Sequence, residues 1–200
     1  MEIKNRTAAG IPSGVYLASG PHGEVDGSYE FFGASNSYIE FPSSAGGALD
    51  VRHSMTMLCW LYSYGQEGPI FNYRTGGAYG VHLWEVSGML FVRFNKRDYS
   101  LTTALKHTTL AGGWKFVGAS YNSVSGDAKL WVDGVTVTAL NIGAGLELAT
   151  QDSIRMGTKI NDHRHFKGRI TQMQVYNVAL TQEHIQAIRN QFEGRNTLLQ

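Results

Sequence analysis

Asp133-Gly134 stands between two strand-forming runs, Leu130-Trp-Val132 and Val135-Thr-Val137. An Asp-Gly pair in that setting makes a two-residue type I′ turn, because both turn positions need positive φ and these residues tolerate it. The pair therefore predicts an antiparallel hairpin. Ser87-Gly88, between Val81–Glu85 and Met89–Asn95, predicts a second. From Val15 onward the chain repeats this pattern of short apolar or alternating runs broken by glycines, which is the signature of an all-β sandwich. Composition agrees: 24 Gly, 12% aromatic residues and only 4 Pro in 200 residues. That length suits one sandwich domain.

The expected strands are Val15–Ala18, Ser28–Phe32, Tyr38–Phe41, Met55–Ser63, Pro69–Tyr73, Tyr79–Glu85, Met89–Asn95, Tyr99–Thr102, Trp114–Asn122, Ala128–Val132, Val135–Ala139, Ser153–Thr158 and His165–Tyr176. The irregular pattern of Lys129-Leu-Trp-Val-Asp133 suggests burial on both faces. Trp60, Trp84, Trp114 and Trp131 are assigned mainly to the core. One short C-terminal helix is expected, with Thr181 as N-cap and Glu183 favouring the helix dipole. Leu180 before the cap can pack on Ile185 as a hydrophobic staple. Ile185, Ile188 and Phe192 form the apolar stripe, and Gly194 ends the helix. The domain spans 14–192, with terminal extensions at 1–13 and 193–200.

Charge and cysteine narrow the function classes. With 17 basic and 16 acidic side chains, no electrostatic footprint for nucleic acid is present. No apolar run is long enough for membrane insertion as a helix. Met1-Glu-Ile-Lys-Asn lacks the apolar core of a signal peptide, so a secreted form is expected to be a mature fragment or to start with an added Met. Asn5-Arg-Thr7 is a glycosylation sequon that matters only outside the cell. The single cysteine, Cys59, excludes an internal disulfide and a cysteine-based zinc site. It is expected to be a buried thiol.

Three segments, in order, carry a family resemblance. They are Gly27-Ser-Tyr-Glu-Phe-Phe-Gly33 with Ser37-Tyr-Ile-Glu-Phe-Pro42, then Ser54-Met-Thr-Met-Leu-Cys-Trp60, then Trp114–Tyr121 through Leu130–Gly134 to Phe166–Ile170 and Val175–Leu180. The ordered set resembles the laminin-G-like, concanavalin A-like jelly roll shared by pentraxins and many adhesion modules. The resemblance implies two antiparallel sheets and a binding rim for glycans, proteins or lipid head groups, often with calcium. It also implies departures. Gly118 takes the expected place of the pentraxin cysteine that would pair with Cys59. Arg74-Thr-Gly-Gly-Ala-Tyr79 offers no carboxylate, and Lys159 lies near an expected acidic position. A pentraxin-type double calcium site is therefore not expected. A single weaker calcium site on Asn161 and Asp162, completed by carbonyls and water, stays open.

The densest polar cluster is Asn161-Asp162-His163-Arg164-His165. It reads either as a rim loop for a glycan, an acidic group or a metal, or as a solvated hairpin loop. Asn95-Lys-Arg97-Asp-Tyr99 offers Arg97 for a sugar or anion, against the alternative of an ordinary charged hairpin. Tyr62, Tyr64, Tyr73 and Tyr79 flank glycine loops, as stacking aromatics do, although strand aromatics are usually core. Arg74, Tyr73 and Tyr79 join the candidate ligand-binding set. Glu24, Asp26 and Glu30 superficially resemble a glycosidase acid pair, but Gly27-Ser28 breaks their spacing. Gly76-Gly77 lacks the strand–loop–helix context of a phosphate loop. The expected function is a non-catalytic extracellular recognition module for glycans or cell-surface proteins. The alternatives are a structural module acting as a homo-oligomer and a degenerate glycoside hydrolase.

Overall fold

The computed structural model describes residues 10–108 and 112–193, with the side chains of residues 192–193 left aside. The sequon at Asn5, Gly194 and the Phe192 side chain lie outside the described residues. In chain order the strands are β1 (Ile11–Ser13), β2 (Tyr16–Ala18), β3 (Ser28–Phe32), β4 (Tyr38–Phe41), β5 (Met55–Gln66), β6 (Gly68–Tyr73) and β7 (His82–Val86). There follow β8 (Met89–Arg93), β9 (Leu105–Thr108), β10 (Lys115–Tyr121), β11 (Asp127–Val132), β12 (Val135–Asn141), β13 (Ile154–Met156), β14 (Lys167–Tyr176) and helix α1 (Gln182–Glu193).

The strands form two antiparallel seven-stranded sheets. The first runs β1-β4-β13-β6-β7-β8-β9 and the second β12-β11-β10-β5-β14-β3-β2. This is the expected two-sheet sandwich. Both hairpin turns have the expected positive φ pairs, at Ser87-Gly88 and Asp133-Gly134. The chain changes sheet between β1 and β2 at Gly14, whose φ is +53° and whose missing Cβ would sit 2.5 Å from Asn36 O.

Period-two alternation on β5 builds two cores. Met55, Met57, Cys59 and Leu61 enter the core between the sheets. Leu58 and Trp60 point to the other face of the second sheet, where they join Phe116, Trp131, Leu180 and Ile185. Helix α1 covers that face. The hydroxyl of Thr181 accepts a long 3.4 Å bond from His184 N, and both members of the Leu180–Ile185 staple are buried. Burying each of those side chains contributes roughly 1.5–3 kcal/mol. Thr56, fully buried, fixes where the helix begins: its Oγ1 donates to Val178 O at 2.7 Å and accepts from Leu180 N at 2.9 Å. On β11, Leu130 and Trp131 belong to different cores, so the strand is buried on both sides as its pattern suggested. Trp114 is only half-buried, against the second core.

Several expectations are corrected. Ile11–Ser13, placed in the terminal extension, is an edge strand paired with β4. Residues Tyr99–Thr102 are not a strand. Tyr99 has φ +65°, which an extended chain cannot accommodate, and its N–H closes a turn on Lys96 O at 2.7 Å. The strand lies later, at β9. Across from Cys59 stands Val117, while Gly118 faces Leu58. A Cβ on Gly118 would lie 2.3 Å from Met57 O and 2.5 Å from Leu58 Cδ2. The glycine is thus required by close packing of Leu58.

Candidate functional site: a polar rim cleft

At one end of the sandwich the loops after β4, β6, β12 and β13 meet. They are stitched by backbone bonds: Arg74 N donates to Ser153 O at 2.8 Å and Ile160 N to Thr75 O at 2.7 Å. Ser43 N donates to Ser153 Oγ at 3.2 Å. Between them lies a cleft of about 520 Å³ lined by Ser43, Ser44, Arg74, Thr75, Gly76, Gln151, Asp152, Ser153 and Ile160. That volume falls in the range of small-molecule sites, but the lining is hydroxyl, amide and charge rather than apolar.

Arg74 is held in place from three sides. Its guanidinium lies over the Tyr99 ring at 3.9 Å, and its Nε donates to Gly76 O at 3.2 Å. Its carbonyl accepts from Asn72 Nδ2 at 2.8 Å. The Tyr99 hydroxyl donates to Asp152 Oδ2 at 2.8 Å, and burial together with that carboxylate raises the phenol pKa. Arg74, Tyr99 and Asn161 all have positive φ, at 70°, 65° and 61°. A left-handed residue other than glycine costs on the order of 1–3 kcal/mol, and such strain collects at binding sites.

Behind the cleft, the loops carrying Arg74–Tyr79 and Asn161–His165 come together, as their polar character invited. Tyr79 donates to Asp162 Oδ2 at 2.9 Å. Arg164 forms a two-pronged pair with Asp162, at 2.9 and 2.7 Å, and its Nη2 also donates to the Tyr79 oxygen at 3.1 Å. The Arg164 guanidinium holds the Asp162 carboxyl far below the usual carboxylate range. Lys159 is buried and donates to Gly77 O at 2.8 Å, and burial lowers its pKa.

The expected site residues divide between ligand-facing and structural positions. Arg74 lines the cleft. Asn161 and His163 are exposed beside it. Tyr79, Asp162 and Arg164 are spent on one another and act as scaffold. His165 is half-buried and gives its carbonyl to Gln66 Nε2 at 2.9 Å. Tyr73 cannot touch a ligand: β6 is covered on both faces, its ring is fully buried and its hydroxyl donates to Leu49 O at 2.7 Å. Arg97 is likewise structural. Its guanidinium bonds both oxygens of Asp50 at 2.9 and 2.8 Å.

The single calcium site left open on Asn161 and Asp162 does not fit. Both Asp162 oxygens are engaged by Arg164 and Tyr79, leaving only the Asn161 amide beside them, far short of the 6–8 oxygens calcium takes. Among the described residues no group of three acidic, His or Cys side chains is placed to hold a metal. The acids that resemble a glycosidase pair have local partners. Glu24 accepts from His22 N at 2.9 Å, and Glu30 accepts from Tyr64 at 2.8 Å while facing Arg169 at 3.9 Å.

The sequence reading missed Ser43, Ser44 and Gln151–Ser153. Their only signal is that each short polar run follows a β-strand or a buried Leu148-Ala149 pair at the same end of the sandwich.

No curated protein matches the sequence. Solved structures match the fold. The binding domain of paraclostridial mosquitocidal protein 1 has a TM-score of 0.71 at 15% identity, over 92% of this chain and 48% of that one. The botulinum neurotoxin serotype D ligand-binding domain in complex with N-acetylneuraminic acid has 0.68 at 16%, over 90% and 45%. A botulinum neurotoxin type C structure has 0.71 at 13%, over 92% and 46%. The chain therefore spans about half the length of these proteins, and at such identities the likeness is one of fold. A laminin-G-type family profile matches residues 32–186, and the chain belongs to the concanavalin A-like lectin/glucanases superfamily.

Proposed function

We propose that the chain is a non-catalytic glycan-recognition module acting outside the cell, with the rim cleft as its sugar site. The observation that carries this reading is the cleft lining. Ser43, Ser44, Thr75, Gln151 and Ser153 supply neutral donors and acceptors, and Arg74 and Asp152 are fixed in place by Tyr99. Such a surface complements a polyol better than an apolar ligand. The superfamily supports the class of ligand. The similar toxin domains support it as well. The serotype D domain was solved with N-acetylneuraminic acid, and cell entry of the type C neurotoxin depends on interaction with two ganglioside molecules. Fold alone does not assign a ligand, so the cleft chemistry bears the weight.

A glycan array probed with the chain and with Arg74→Ala and Gln151→Ala tests the reading. Binding to a restricted set of glycans, lost in both variants, is expected. No glycan bound by the parent chain, or binding untouched in both variants, contradicts it.

A further inference from the structure

A different face of the sandwich holds an arginine with no carboxylate opposite it. Arg93 ends β8 on the outer side of the first sheet, directly across from His82. Among the described residues, Arg52, Arg97, Arg155, Arg164 and Arg169 each face a carboxylate, and Arg74, which faces none, is held by the Tyr99 ring and Gly76 O. Arg93 faces none, and its Nε is buried with no hydrogen-bond acceptor. A buried donor left unmade costs about 1–3 kcal/mol, more when charged. A group of that kind calls for an explanation in a ligand or a function.

Its surroundings say what the outer nitrogens of the guanidinium could bind. The guanidinium lies 5.4 Å from the centre of the half-exposed Phe91 ring, and the ammonium of exposed Lys106, on the neighbouring strand, lies 5.6 Å from the same centre. On the other strand His82 stacks on Phe91 at 5.6 Å and 17°. Burial holds the pKa of His82 down to about 4, so it backs the Phe91 ring and adds no charge at neutral pH. The nearby carboxylates are engaged elsewhere. Glu85 points the other way from β7 and accepts from Ser63, and Asp162 is consumed by Arg164.

We propose that Arg93, Lys106 and Phe91 form a second binding site, distinct from the rim cleft, for a sugar residue bearing a carboxylate. The planar guanidinium fork matches a carboxylate. The Phe91 ring offers a platform for the apolar face of the sugar. Two cations beside one ring suit a single anionic group per residue rather than a densely charged chain.

The test is a ¹H–¹⁵N NMR titration of the whole chain with methyl β-glucuronide, with neutral methyl β-glucoside and with glucose 6-sulfate. Glucuronide is expected to shift the amides of Phe91, Arg93 and Lys106, and glucoside is not. Arg93→Gln is expected to weaken the response about ten-fold, the usual size of a lost charge-assisted bond. Lys106→Gln, at an exposed position that does not threaten folding, is expected to weaken it several-fold. Arg74→Ala in the cleft leaves it unchanged, which separates this site from the rim. An absence of shifts at these amides overturns the proposal whatever the rim does. So does an equal response to glucoside, a stronger response to glucose 6-sulfate, or wild-type binding by Lys106→Gln.

Discussion

The Arg74 guanidinium lies over the Tyr99 ring, 3.9 Å from its centre, and the same tyrosine holds Asp152 through its hydroxyl. One aromatic side chain thus positions the cleft's cation and its anion. A cation over a ring contributes about 0.5–2 kcal/mol, depending on exposure. That is enough to keep a long side chain in one rotamer. Tyr99 does not line the cleft, so its contribution to binding is positional.

Tyr99→Leu therefore lowers glycan affinity about five- to ten-fold, a loss of the size expected for one cation–ring contact, because it frees Arg74 and Asp152 while every cleft-lining residue is retained. Tyr99→Phe, which keeps the ring and releases Asp152, loses less. Titration calorimetry with a glycan found on the array measures both. Equal affinity in all three proteins contradicts the positional role.

Calcium is expected to leave stability unchanged. An ion that binds the folded state raises the melting temperature by mass action, but Asp162 has both carboxylate oxygens engaged. Melting curves in calcium, at about 1,000 times a micromolar Kd, and in chelator should coincide. A calcium-dependent rise would show that carboxylates elsewhere are recruited.

Acid should destabilise the fold through Asp50. Its carboxylate takes both arms of Arg97, Thr150 Oγ1 at 2.8 Å and Gly46 N at 2.8 Å, and its pKa is lowered from 3.8 to about 2, chiefly by Arg97. A folded-state pKa below the unfolded value means that the stabilisation is fully present above about pH 5 and is lost as pH falls towards about 2. The contribution is on the order of 2 kcal/mol. Urea melts from neutral pH down to about pH 2 should show this loss, and Arg97→Ala should flatten it. An unchanged pH slope in Arg97→Ala would count against the assignment.

Gly118→Ala should destabilise the domain by about 1–3 kcal/mol, the usual cost of overpacking. The new methyl meets a backbone carbonyl and Leu58, neither of which can retreat without disturbing the face covered by α1. Thermal melting measures it. A Gly118→Ala, Leu58→Ala double variant that recovers part of the loss relative to the sum of the singles would confirm the cause.

The fold was largely legible because its signals are local. Asp133-Gly134 sets a turn by its own φ preferences, and Leu180 and Ile185 meet across the first turn of one helix. The two-sided burial of Leu130-Trp131 follows from the break in alternation at an apolar run. The site was legible only in part. The loops of Tyr79 and Asp162 drew attention through polarity, but that they touch depends on a pairing across 83 residues. Tyr73 and Tyr79 look alike in sequence, yet a strand buried on both faces consumes one and a loop turns the other onto Asp162 and Arg164. Arg97 looked available because its partner, Asp50, lies 47 positions upstream. Local chemistry names the polar residues, and long-range topology decides which of them are already satisfied.

Whether the rim cleft holds a sugar is decided by a crystal structure of the chain soaked with a glycan found on the array. The expected result is the sugar in the cleft, with hydroxyls bonded to Arg74, Gln151 and Asp152 and those side chains unmoved. A well-ordered sugar bound elsewhere, with the cleft empty and Arg74→Ala binding as tightly as the parent, would contradict it.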